Sequence, residues 1–170
     1  CVLRALHERG AGSAIEIVAP NDLADQASIE YLTRFDSTHG RFPGAVAVDG
    51  DCLHINGACV KVLRQSTPEA IDWAALEVDL VLECSGQYTS RAAAQRFLDA
   101  GAPRLLLSQP MNSEADIDAT IVYGVNQQRL TGAELLVSNA SCTTNCLVPL
   151  LKLLNEAIGL EYVSITTIHS

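Results

Sequence analysis

No GxGxxG run follows any strand-like segment of this 170-residue chain, no CxxC pair occurs among its six cysteines, and no stripe of Lys and Arg interrupts its net charge of −9. Each absence excludes something. Without a basic stripe, neither a nucleic-acid backbone nor an anionic membrane surface is an expected partner. Without paired cysteines or a His/Cys cluster at zinc spacing, no metal site is expected. The longest apolar runs, such as Leu80–Leu82 and Leu147–Leu151, fall far short of the roughly 20 residues that a bilayer requires. No signal peptide opens the chain, so a cytoplasmic protein is expected. What is there is ordinary for a globular domain with a sizeable core: 48% hydrophobic and 18% charged residues. Cys52, Cys59 and Cys84 lie in apolar, strand-like segments. They read as small buried hydrophobes, and disulfides are not expected.

Along the chain, "CVLRALHERG" has apolar Val2, Leu3 and Leu6 and ends at Gly10, which predicts the last turns of a helix closed by a glycine. Its abrupt start leads to the expectation that an upstream part is missing. "AIEIVAP" predicts a strand ended by Pro20 and Asn21-Asp22. "LADQASIEYLTRFDSTHG" has Leu23, Ala27, Tyr31 and Leu32 at helical spacing, with Gly40 as the break. "AVAVDGDCLHINGACVKVL" carries the turn pairs Asp49-Gly50 and Asn56-Gly57, and predicts a small antiparallel insertion.

After Trp73 the pattern changes. "VDLVLECSG" is a near-continuous apolar strand, followed by helical "SRAAAQRFLDAG" and by the strands "RLLLS", "ATIVYGVN" and "ELLVSNAS". A long helix and one more β-branched strand, "LEYVSITTIHS", close the chain. This order predicts a doubly wound, Rossmann-type α/β domain lacking its first strand and glycine-rich loop. Ligands of such sheets bind outside the carboxyl ends of the strands. Here those ends are Asn21-Asp22, Ser85-Gly86, Ser108 and Ser138-Asn139. If "IEIVAPND" is the second strand, Asp22 stands where a carboxylate holds the ribose of a dinucleotide. Most Asn-Asp pairs, however, merely cap a helix or make a turn.

Cys142, in "SNASCTTNCLVPLLKLL", sits between a strand and a helix. A thiol in the first helical turn feels the positive end of the helix dipole and nearby N–H donors, which favour thiolate. A carbonyl attacked there would find its oxyanion near the same donors. The bland alternative is a helix-start thiol of no chemical use, like Cys146 one turn on. His169 ends the following strand, from which an imidazole can return toward the helix start, although a lone histidine is more often structural.

"SNASCTTNCLVPLLKLL" together with "TTIHS" closely resembles the active-site segment of the glyceraldehyde-3-phosphate dehydrogenase superfamily. The resemblance continues through "PNDLAD", "DSTHGRF", "LECSGQYTSR" and "YGVN" and so spans essentially the whole chain. Within the superfamily, "LLLSQPMNSEADIDATIVYGVNQQRL" looks more like the bacterial D-erythrose-4-phosphate dehydrogenases, since glyceraldehyde-3-phosphate dehydrogenases usually carry a "SAP" turn and "MGVN". The resemblance implies Cys142 as nucleophile toward a sugar-phosphate aldehyde and His169 as its base. It implies Asn21, Asp22, Ser85, Gly86 and Ser108 at the cofactor NAD, and Ser141 and Thr143 at the substrate phosphate. Cys146 is read as lying one turn inward and structural.

The implied reaction is oxidation of D-erythrose 4-phosphate to 4-phosphoerythronate through a thioester, on the route to pyridoxal phosphate. Glycolytic oxidation of glyceraldehyde 3-phosphate is the alternative, and a non-catalytic nucleotide-binding fragment is another. The implied domains are 1–140, a partial NAD-binding domain, and 141–170, the start of a catalytic domain. The intact protein is expected to be a homotetramer and this fragment nearly inactive. Gln65-Ser66 departs from the Glu-Arg that many relatives have near the adenine.

Overall fold

The computed structural model describes residues 1–9 and 15–169. It divides into two units, Cys1–Leu76 and Glu77–Ser170, taken in turn.

In the first unit, helix α1 (Val2–Glu8) buries Arg4. The glycine closure expected at Gly10 lies outside the described residues. Helix α2 (Gln26–Arg34) starts where the Asp25 carboxylate accepts a hydrogen bond from Ser28 N at 2.9 Å, satisfying an N–H that the first turn leaves without a partner. It ends at Arg34 rather than running on to Gly40, because Phe35 turns extended to pair as β1 (Phe35–Asp36) with β2 (Gly40–Arg41). The insertion forms as expected. Strands β3 (Val46–Asp49), β4 (Cys52–Ile55) and β5 (Ala58–Lys61) make an antiparallel meander. Asn56 and Gly57 both take positive φ, 51° and 88°, as a two-residue hairpin turn of this hand demands. Ile29, Phe42, Val46, Leu53, Ile55 and Val62 form its core.

Two further expectations fail in this unit. Residues 15–20 form no strand; their neighbourhood pairs through a single parallel bridge, Asn21 with Leu63, with Leu63 N donating to Pro20 O at 2.8 Å. A ladder needs a continuous partner, and β-branched composition alone does not supply one. The reading of Cys52 and Cys59 as buried free thiols also falls. Cys52 is half-buried, Cys59 is exposed, and the two are joined as a disulfide with Cα atoms 5.5 Å apart. Adjacent antiparallel strands bring same-face residues within bridging distance whatever their separation in the chain.

The second unit is a parallel sheet. Strands β6 (Val81–Glu83), β7 (Leu105–Leu107), β8 (Ala119–Thr120) and β9 (Leu136–Ser138) lie in the order β6-β7-β9-β8, every pair parallel. Helix α3 (Arg91–Asp99) crosses from β6 to β7, capped by Ser90 Oγ accepting from Ala93 N at 3.3 Å. It buries Ala94 and Phe97, three residues apart on one face. Leu105, Leu107, Leu136 and Ser138 are fully buried at the sheet centre, which is why "RLLLS" and "ELLVS" read as continuous apolar runs. The fold is therefore mixed α/β around a parallel sheet.

Helix α4 (Cys142–Ile158) follows β9 and ends at Gly159, whose N–H donates to Asn155 O at 3.0 Å. The final strand expected over "LEYVSITTIHS" does not form: residues 160–169 are outside any strand. No sheet edge among the described residues pairs with this segment, and an unpaired strand is not stable alone.

Candidate functional site

The β9–α4 junction is built by side chains that satisfy its backbone. Ser138, fully buried at the end of β9, donates from Oγ to Gln109 O at 2.7 Å and accepts from Ala140 N at 3.1 Å. Asn139 N donates to Leu107 O at 2.8 Å. Ala140 then adopts φ +58°, a left-handed conformation unusual for a residue with a side chain. This turns the chain sharply from strand to helix. Ser141 caps α4, its Oγ accepting from Thr144 N at 3.1 Å and lying 2.8 Å from Thr144 Oγ1. Asn145 reaches back with Nδ2 to Asn139 O at 2.6 Å and Ser141 O at 2.9 Å.

Cys142 is the first residue of the helix and is exposed. It thus stands at the positive end of a 17-residue helix whose opening N–H groups point toward it and past it to solvent. That arrangement offers donors to an oxyanion formed on a carbonyl bound there. Thr143 is half-buried beside it, and the Ser141 hydroxyl is already engaged as the cap. Cys146 is exposed one turn on, rather than turned inward.

The other carboxyl ends of this sheet carry the remaining expected loop residues. After β6, Ser85 N donates to the buried Glu83 Oε1 at 2.8 Å, and Gly86 takes φ +77° with open space about its Cα. After β7, Ser108 N donates to Glu83 O at 2.9 Å. Ser85, Gly86, Ser108, Ser141, Cys142 and Thr143 therefore share the carboxyl edge of one parallel sheet, where ligands of such folds bind. Cys84, next to them, is exposed rather than buried as its apolar strand suggested, and partial desolvation of its sulfur pushes its pKa up, against a hydrogen bond from Ser108 that pulls it down.

Asn21 and Asp22 belong to the first unit. The Asn21 carboxamide is spent on the backbone of Gln65, donating to its O at 2.9 Å and accepting from its N at 2.8 Å. Asp22 is exposed, with Oδ1 accepting from Ala24 N at 2.9 Å. Asn21 thereby ties the turn that carries Asp22 to the Gln65 backbone. His169 lies in the exposed segment after α4, and neither its ring nor the Cys142 sulfur has a hydrogen-bond partner among the described residues.

Sequence reasoning placed Ser138 at a strand end but missed its buried hydroxyl bonds, and it missed Glu83, the role of Gln109 and the left-handed Ala140. Only the clustering of small polar residues before the helix pointed toward them. Among the described residues no three His, Cys, Asp or Glu side chains converge as a metal ion would require, and no helix is long and apolar enough to cross a membrane.

Comparison with known proteins adds the following. Residues 1–91 match the family profile described as glyceraldehyde 3-phosphate dehydrogenase, NAD binding domain, and residues 141–170 match the corresponding C-terminal domain. Two curated proteins of Cupriavidus necator, a chromosomal and a plasmid glyceraldehyde-3-phosphate dehydrogenase, are 49% and 48% identical over 169 residues. The match covers 99% of this chain and 50% of each relative, so the chain spans about half their length.

Proposed function

Because the chain belongs to the glyceraldehyde 3-phosphate dehydrogenase family, we propose that the protein of which it is part oxidises a phosphorylated aldehyde with NAD, using Cys142 as nucleophile. The observation that carries this reading is the placement of Cys142: exposed, at the first position of α4, beyond a left-handed residue at the carboxyl edge of a parallel sheet. The Cys142 thiolate adds to the aldehyde carbon, and the N–H groups of the first helical turn hold the oxygen that becomes negative. His169 takes the Cys142 thiol proton, leaving the thiolate that makes this addition. NAD, when bound, supplies the hydride acceptor. The acyl group remaining on Cys142 is a thioester, released by water or by phosphate. Ser141 and Thr143 are the residues proposed to meet the substrate phosphate. Asp22 would hold the adenosine ribose, with Ser85, Gly86 and Ser108 along the cofactor. The catalytic part begins at residue 141 and the cofactor part precedes it.

For the substrate, D-erythrose 4-phosphate is proposed on the character of the segment from Leu105 to Leu130, including Ser108-Gln109-Pro110 and Tyr123-Gly124. Glyceraldehyde 3-phosphate is the second reading, favoured by the names of the two curated relatives. Steady-state rates with both aldehydes on the full-length protein decide between them. A homotetrameric, cytoplasmic enzyme is the assembly proposed with either substrate.

Two measurements test the common core of both readings. At neutral pH, iodoacetamide should modify Cys142 faster than any other free thiol of the chain, and faster above all than Cys84, whose thiol is held protonated. Equal labelling of Cys1, Cys84, Cys142 and Cys146 would remove Cys142 from the chemistry. In the full-length protein, Asp22→Ala should weaken NAD about tenfold or more while leaving NADP nearly unchanged, because a carboxylate both binds ribose hydroxyls and repels a 2′-phosphate. Equal losses would make Asp22 a turn residue only.

A further inference from the structure

The parallel-sheet unit contains a largely part-buried hydrogen-bond chain that ends at the Cys142 turn. Glu83, 6% exposed, accepts from Ser85 N through Oε1 at 2.8 Å and from Gln109 Nε2 through Oε2 at 2.9 Å. Gln109 Nε2 also lies 3.4 Å from Tyr88 O, and its Oε1 accepts from Ser108 Oγ at 3.3 Å. The main chain of the same residue carries the link onward: Gln109 O accepts from Ser138 Oγ, which accepts in turn from Ala140 N. Side chain and carbonyl of one residue thus tie the loops after β6 and β7 to the turn that aims the thiol.

We propose that Glu83 and Gln109 are positioning residues for Cys142: their part-buried hydrogen bond fixes the Gln109 carbonyl, and through Ser138 that carbonyl holds Ala140 in the left-handed conformation that places the thiol at the helix start. A left-handed alanine reverts to extended or helical backbone unless its surroundings hold it. The Ala140 N–H is held by Ser138 Oγ, whose own proton goes to Gln109 O, so the direction of that hydroxyl depends on where Gln109 O stands. The Gln109 backbone is in turn held by its amide, which has a buried acceptor in Glu83 and a donor in Ser108. The pair touches neither the thiol nor the proposed substrate atoms. It acts on how Cys142 is presented, exposed at the helix start, and it joins the loops carrying Ser85 and Ser108 to that same turn.

This rests on Cys142 being the reactive thiol, and Cys146 on the same helix is the internal standard. The measurement is the ratio of iodoacetamide labelling rates at Cys142 and Cys146 in the 170-residue chain, read by mass spectrometry beside a melting curve. Gln109→Glu sets two carboxylates against each other and should lower the ratio about fivefold or more, the scale of one lost buried hydrogen bond. The exchanged pair, Glu83→Gln with Gln109→Glu, restores a donor facing an acceptor and should return the ratio to within about twofold of the original. Gln109→Met, similar in length but without polar atoms, should lower it about threefold without adding charge. Either a ratio unchanged in folded Gln109→Met and Gln109→Glu, or one that stays depressed in the exchanged pair, overturns the proposal. If the unsubstituted chain labels Cys142 no faster than Cys146, the nucleophile reading falls and this positioning role falls with it. A fast Cys142 indifferent to the substitutions overturns the positioning role alone.

Discussion

The two ends of α4 are held in opposite ways. At its start, Ser138, Ser141, Thr144 and Asn145 satisfy the turn with bonds of 2.6–3.1 Å, all made within the segment or to the neighbouring sheet loop. Beyond its end, residues 160–169 make no ladder, Ile168 is 95% exposed, and the helix itself shows Leu153 and Ile158 to solvent. The difference teaches which parts of a site are local. A strand-to-helix turn can be fixed by side chains a few residues away, whereas a strand needs a partner, and none of the described residues pairs with this segment.

The contrast is broken most severely at His169. If the segment after α4 joins the site in the full-length protein, His169→Asn should slow hydride transfer by about 10²-fold or more with NAD affinity unchanged. Single-turnover NADH formation beside a melting curve reads this, and a normal hydride step in a destabilised variant would leave His169 structural. The second effect falls on the fixed end. Ser138→Ala strips a fully buried hydroxyl and leaves Gln109 O and Ala140 N without their partner, at a cost of about 1–3 kcal/mol. Urea unfolding should register that loss as a lower midpoint, and an unchanged midpoint would mean that the turn is held elsewhere. The smallest effect belongs to Ala140→Gly. Relief of left-handed strain, about 1 kcal/mol, is opposed by loss of a buried methyl worth about 0.8 kcal/mol and by extra freedom in the unfolded chain. A net change under about 1 kcal/mol is expected by the same measurement, and a loss above about 2 kcal/mol would show that the methyl, rather than the backbone, sets this position.

The parallel sheet was legible because Leu82, Leu105–Leu107 and Leu136 form apolar runs bounded by small polar residues, and the meander because Asn56-Gly57 specifies its turn. The position of Cys142 at a helix start was legible from Ser141 and the apolar run after it. What failed were the features that depend on partners distant in sequence. "IEIVAP" and "LEYVSITTIHS" have strand composition, but composition says nothing of whether an edge is available. The Cys52–Cys59 bridge follows from the pairing of β4 with β5, which sets which residues share a face. The pairing of Glu83 with Gln109 carried no signal, since a buried carboxylate in a strand is recognised only once its partners are placed.

The sheet connectivity also sets an order of events in folding. The meander pairs Val46 with Ile55 and Ile55 with Ala58, contacts between near neighbours that close within microseconds. The parallel sheet must bring Leu105 to Leu136 and Val81 to Leu105 before any of its ladders is rewarded, and such long closures are slow. Since Ser138, the last residue of β9, anchors the turn into α4, the thiol reaches its place only after that slow pairing is complete. Cys142 reactivity is then a clock for the finished domain: a refolding chain should recover native backbone signal in the meander before it recovers a fast-labelling thiol.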